Sequence, residues 1–190
     1  MPQRSMPFIK DGIYHVYNRG NNRQLIFFER ENYLHFLRLV RQHLIIRNIE
    51  ILAYCLMPNH YHLLVRLRET DLSAGMKGLS LAYTKAINKR FERVGSLFQG
   101  RFQAIHVTEP AYLVHLVKYI HLNPVKAGLV QSAGDWEFSS YQEYAGLRNG
   151  TLPNMEILKS QLISADEYRS FLEDESLSAS PQIRGLMLDE

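Results

Sequence analysis

His60-Tyr61-His62 sets two imidazoles at alternate positions of an apolar run, HYHLLVRL (60–67). On a strand, side chains at i and i+2 share a face, with Cα atoms about 6–7 Å apart. Both rings then point the same way, at a spacing that lets two nitrogens bind one cation. The neighbours Leu56, Leu63, Leu64 and Val65 indicate a central strand rather than an exposed edge. Two buried imidazoles side by side need a partner of some kind. The spacing alone leaves an unliganded pair open.

A second pair lies in YIHLNPV, where Tyr119 and Asn123 are four residues apart. On a helix that puts them on one face, about 6 Å or one turn apart. Leu113, Leu116, Val117 and Ile120 form the apolar stripe of that helix, with Tyr119 near its border. An interfacial packing tyrosine, and an asparagine that ends the helix before Pro124, fit the same spacing. A third feature is a stripe of Lys77, Lys85, Lys89 and Arg93, separated by multiples of four, with Arg90 beside it and Arg101 following. No acidic residue intervenes between Asp71 and Glu92. Such a stripe reads either as a solvated face or as a phosphate-contacting surface.

Other chemistries find no footing. There is no GxGxxG or GxxxxGK[ST] loop, no HExxH and no GxSxG elbow. Cys55, the single cysteine, sits in an apolar strand and reads as an inert buried thiol. Glu29 and Glu31 open a helix, where they offset its dipole.

The elements that must position these residues follow from periodicity. GIYHVYNRG (12–20) alternates as a strand, with Ile13, His15 and Tyr17 on one face. From Glu29 to Arg47 apolar residues recur at three and four, predicting a helix. IEILAYCLM (49–57) and HYHLLVRL read as an antiparallel pair around a Pro58-Asn59 turn. Residues 73–94 predict a second helix that buries Leu79, Ala82, Tyr83, Ala86, Ile87 and Val94. SLFQGRFQAIHV (96–107) is strand-like, interrupted by Gly100. A third helix runs from Glu109 to Asn123, with Thr108 as its cap, Pro110 in its first turn and Pro124 as its stop. The order β-α-β-β-α-β is the ferredoxin-like arrangement of an α+β protein. Short helices are expected around DWEFSSYQEYAG and ISADEYRSFLED, followed by a polar tail.

Composition is ordinary for a globular chain, with 46 % hydrophobic and 22 % charged residues among 190. One cysteine excludes a disulfide framework and a Cys-rich zinc module. The apolar runs are far short of a membrane span, the N-terminus lacks the apolar core of a signal peptide, and a cytosolic location is expected. The net charge of +3 conceals a division. Residues 1–130 hold 18 Lys+Arg and 8 Asp+Glu, whereas residues 131–190 hold 4 and 11. That asymmetry suggests a polyanion-binding body with an acidic tail region.

Five stretches in order, YHVYNRGNNRQLIFF, YCLMPNHYHLLV, SLFQGRFQAIHV, YIHLNPVKAGLV and DWEFSSYQEY, together resemble single-tyrosine transposases of the HUH type. The resemblance is to the REP-associated branch and spans residues 8–145. It implies a ferredoxin-like sheet with helices on one face and a transposase domain over 1–145, and leaves outside it the acidic, partly helical extension over 146–190. The family's His-hydrophobic-His motif falls on His60, Tyr61 and His62, and its nucleophilic tyrosine on Tyr119. Its third metal ligand, a polar amide one turn later, falls on Asn123, where some relatives carry Gln. The resemblance further implies Mg²⁺ or Mn²⁺, single-stranded or hairpin DNA as partner, and a 5′-phosphotyrosine intermediate. Lys85, Lys89, Arg93 and Arg101 are the expected DNA contacts. Two other classes stand beside this reading: a non-catalytic binder of single-stranded nucleic acid, and a metal-dependent phosphodiesterase that uses water. Monomer and homodimer stay open.

Overall fold

The computed structural model describes residues 7–109, 111–156 and 164–173. Its elements are β1 (Ile13–Arg19), α1 (Arg30–His43), β2 (Ile49–Met57), β3 (His60–Leu67), α2 (Leu72–Arg90), β4 (Gln103–His106), α3 (Ala111–Lys126), α4 (Tyr141–Tyr144) and α5 (Ala165–Glu173). The strands form one sheet in the order β2-β3-β1-β4, antiparallel throughout. This is the ferredoxin-like topology expected from the element order, and it makes β3 an inner strand.

Alternation along the strands divides the core in two. Val16, Ile51, Leu63 and Val65 face α1 and α2, meeting Phe36, Val40, Met76, Leu79 and Tyr83. Each such side chain contributes roughly 1.5–3 kcal/mol by leaving water. Ala53, Cys55, Met57 and Leu64 face the other way, beneath Leu113, Leu116, Val117 and Ile120 of α3 and the C-terminal section. The two crossover helices therefore share one face, as expected, while α3 covers part of the opposite one. That second face is the one His60 and His62 share.

Several local expectations change. α2 ends at Arg90, and Glu92 takes a positive φ of 50°, so Val94 lies beyond the helix and is 98 % exposed rather than buried. Only Gln103–His106 of the 96–107 segment joins the ladder. Its first part is held by single bonds instead: Gln99 N–H donates to the Arg19 carbonyl, and the Leu97 carbonyl accepts from Asn21 N–H. Pro124 does not stop α3, which continues to Lys126 with the proline inside it. Proline lacks the N–H that would reach the carbonyl four residues back. The Asn123 amide covers that region, with its Nδ2 2.8 Å from the Tyr119 carbonyl and 3.5 Å from that of Ile120. The helix closes at Gly128, whose φ of +67° suits a left-handed terminus. Pro110 and the tail after Glu173 lie outside the described residues. The two C-terminal helices appear as α4 and α5.

Candidate active site

β3 carries both imidazoles onto one face, opposite Met57 and Cys55 of β2 and opposite Arg19 and Tyr17 of β1. His62 is fully buried and His60 half-buried; their ring centroids are 5.0 Å apart with planes at 87°. In each ring Nδ1 is engaged. That of His60 lies 2.7 Å from the Asn59 side-chain oxygen, and that of His62 lies 2.9 Å from Nε2 of His15. Each ring is left with Nε2 as its outward nitrogen. Nε2 of His62 is buried and has no hydrogen-bond partner.

α3 brings the other pair to the same place. Tyr119 is 6 % exposed, and its ring meets that of His62 edge-on at 5.7 Å. Nζ of Lys126, two turns further along α3, stands 5.3 Å from the centre of the Tyr119 ring. Asn123 is buried, and its orientation is chemically determined. Its NH₂ faces two carbonyls, which can only accept, so Oδ1 is turned away from the helix. That oxygen also lacks a hydrogen-bond partner. The Asn123 side chain raises the proton affinity of both imidazoles.

Burial nonetheless dominates the two rings. It lowers His60 to about 4, with Arg19 adding to the fall. It holds His62 well below the ordinary imidazole value, helped by the neighbouring His15 and His60 rings. Neutral imidazoles at neutral pH are lone-pair donors, the state that metal ligation requires. No group of three or more His, Cys, Asp or Glu side chains among the described residues is arranged to hold a metal ion; a cation held by the two imidazoles would find the Asn123 amide oxygen as a further candidate donor. Two imidazoles and an amide oxygen are a donor set that could hold a divalent cation.

The outer side of α3 is fixed as firmly as the inner. His121 is buried, with Nδ1 2.5 Å from the Tyr168 hydroxyl and Nε2 2.7 Å from Ser140 Oγ. Lys118 donates to the Phe171 carbonyl at 2.5 Å. Tyr119 is thus presented by a helix clamped between the sheet and α5.

The basic residues are not gathered at this cleft. Lys85 and Lys89 are exposed on α2, in the layer on the opposite face of the sheet. Arg93 is half-buried, bonded to Gln24 at 3.0 Å and stacked 5.3 Å from the centre of the Phe28 ring. Arg101 is exposed in the segment leading into β4. Sequence reasoning missed His15, whose strand alternation was visible but whose pairing with His62 depends on register. It also missed His121 and Lys126, which lie within the quoted motif YIHLNPVKAGLV.

Among known proteins, the sequence pattern described as "Transposase IS200 like" matches residues 9–123, a span that contains both imidazoles, Tyr119 and Asn123. A Haemophilus influenzae chain provisionally named a REP-associated tyrosine transposase is 30 % identical over 103 residues, 48 % of this chain. The present chain spans only 58 % of that relative's length. The REP-associated tyrosine transposase of Escherichia coli K12 is 28 % identical over 138 residues, covering 70 % of this chain and 79 % of that one. A solved REP-associated tyrosine transposase bound to a REP hairpin shares the fold. Its TM-score is 0.64 at 24 % identity, over 83 % of this chain and 96 % of that one. With more than half of its length inside the matched pattern, the chain belongs to the IS200-like transposase family.

Proposed function

We propose that this protein cleaves and rejoins single-stranded DNA beside hairpins, with Tyr119 as nucleophile and a divalent cation held by His60, His62 and Asn123. The observation that carries this reading is the edge-on contact of the Tyr119 ring with the His62 ring, where His62 Nε2 and, on the same helix as Tyr119, Asn123 Oδ1 are buried without a hydrogen-bond partner. Family membership supports it, as does the hairpin bound to the structural neighbour.

The Tyr119 phenol oxygen attacks the scissile phosphorus in line. The P–O3′ bond breaks, leaving a 5′-phosphotyrosine and a free 3′-hydroxyl. His60, His62 and Asn123 would hold the divalent cation, Mg²⁺ or Mn²⁺, which would supply positive charge to the scissile phosphate. The covalent link keeps one phosphodiester for the one broken, so a second 3′-hydroxyl can reseal the strand and release Tyr119 without ATP. A free phenol has a pKa near 10. The ammonium of Lys126, at 5.3 Å from the ring, favours the phenolate by charge. Lys85 and Lys89 are exposed on α2 and Arg101 before β4, where they would meet phosphates further along the DNA, whereas Arg93 bonds Gln24 and stacks on Phe28.

The test is incubation of the protein with Mn²⁺ and single-stranded DNA carrying REP-like hairpins, followed by denaturing electrophoresis. Wild type is expected to give a protein–DNA band that survives denaturant and, after proteolysis, a peptide containing Tyr119 on the DNA 5′ end. Tyr119→Phe keeps the ring and is expected to lose both adduct and cleavage while retaining DNA and Mn²⁺ binding. Cutting by Tyr119→Phe at near wild-type rate would identify water as the nucleophile and refute the mechanism.

A further inference from the structure

His15 is the buried residue behind the site that the proposed chemistry does not yet use. It sits on β1 directly opposite Leu64, one diagonal step from His62 on the same face of the sheet. Both rings are fully buried. Their planes are 18° apart with centroids at 5.1 Å, and Nε2 of His15 lies 2.9 Å from Nδ1 of His62. The second nitrogen of His62 is the buried atom without a partner.

We propose that His15 is a positioning residue that sets both the rotation and the tautomer of His62, so that Nε2 of His62 presents a lone pair to the site. This rests on the reading that His60, His62 and Asn123 hold a divalent cation. In a hydrogen bond between two neutral imidazoles, one nitrogen must donate and the other accept. For His62 to offer Nε2 as a ligand, its Nδ1 must carry the hydrogen. His15 must then accept through Nε2 and keep its own hydrogen on Nδ1. A ligating histidine whose other nitrogen is held in this way has its ring orientation fixed. His60 receives the equivalent support from Asn59 in the β2–β3 turn, the residue just before it. His62 lies mid-strand and obtains its partner from the adjacent strand, so its support depends on the sheet register.

The requirement is for an acceptor at position 15, which separates this role from simple packing. His15→Phe fills similar space and removes the acceptor. His15→Gln is smaller and restores an acceptor through its amide oxygen. Mn²⁺ binding to the full chain, measured by calorimetry without DNA, is expected to weaken about 10–100-fold in His15→Phe and to recover most of that loss in His15→Gln. The metal-free affinity for a hairpin is expected to be unchanged in both. Mn²⁺ binding by His15→Phe equal to wild type would overturn the positioning role, while a His62→Ala variant that also binds like wild type would overturn the metal-site reading and the proposal with it. A measurement on unmutated protein covers the case in which His15→Phe fails to fold. Long-range ¹H–¹⁵N spectra of histidine-labelled wild type are expected to show His62 protonated on Nδ1 and bare on Nε2, and the reverse tautomer would overturn the proposal.

Discussion

Replacing His121 with Gln should make the protein less sensitive to acid, although it removes a hydrogen bond. His121 is buried on the outer side of α3, held between Ser140 Oγ and the Tyr168 hydroxyl. The rings of Tyr141, Tyr144 and Tyr168 surround it. Burial lowers its pKa from 6.5 to about 3. The folded state therefore keeps His121 neutral where the unfolded chain would protonate it. As pH falls below 6.5 the unfolded state binds the extra proton, so stability drops from there until the folded pKa is reached. At pH 5 the difference is about 1.5 pH units at 1.36 kcal/mol each, or about 2 kcal/mol. His60 and His62 are shifted in the same direction, so wild type alone does not isolate the effect. Glutamine cannot titrate and can still bond Ser140. Urea unfolding at pH 7.5, 6 and 5 should show wild type losing about 2 kcal/mol more than His121→Gln over that range. Parallel losses in the two proteins would refute the assignment of a neutral, buried His121.

Two further outcomes follow from charges placed elsewhere. The Glu143 side chain is 3 % exposed and held by Arg148 at 2.7 Å, while the same guanidinium donates to the Ser139 and Glu137 carbonyls. Arg148→Met strands that carboxylate and should cost about 3–5 kcal/mol in urea unfolding at pH 7; an additional Glu143→Leu should recover much of the loss, and a single-mutant cost below about 1 kcal/mol would contradict the burial of the pair. If Lys85, Lys89 and Arg101 each neutralise one phosphate of a single strand, their combined change to Ala should reduce the slope of log affinity against log salt by about 2. An unaltered slope would return them to a solvated face.

Apolar runs carried most of the fold, because β2 and β3 are buried along nearly their whole length and strands covered on both faces read as near-continuous apolar stretches. That is why the β2–β3 hairpin, the shared face of His60 and His62, and the inner position of β3 were legible. The spacing of Tyr119 and Asn123 was legible for a similar reason, since a helix turn fixes their relation whatever the helix packs against. Three things were hidden because they are settled by tertiary contacts. The face that α3 covers depends on Leu113, Leu116, Val117 and Ile120 finding Ala53, Cys55 and Leu64, which no local pattern encodes. The passage of α3 through Pro124 depends on the Asn123 side chain reaching back to the carbonyls. The pairing of His15 with His62 joins residues 47 apart through strand register.

That Asn123 bond also explains how a buried site can keep its donors unused. Leaving a buried polar atom unpaired costs about 1–3 kcal/mol, so such atoms are normally scattered or absent. Among the described residues the unpaired side-chain atoms include Glu50 Oε2, Tyr61 Oη, Asn88 Oδ1 and Arg93 Nε, on separate elements. His62 Nε2 and Asn123 Oδ1 differ in belonging to residues that interact with each other, on a strand and a helix that meet across one face of the sheet. Neither can turn to find another partner. His62 is held from behind by His15, and rotating the Asn123 amide would set its oxygen against the Tyr119 carbonyl. The same amide that aims an oxygen at the imidazoles also holds the backbone of the tyrosine one turn away. On the proposed reading, a change at Asn123 would disturb the donor set and the seat of Tyr119 together, coupling the proposed cation site to the placement of the proposed nucleophile through a single side chain.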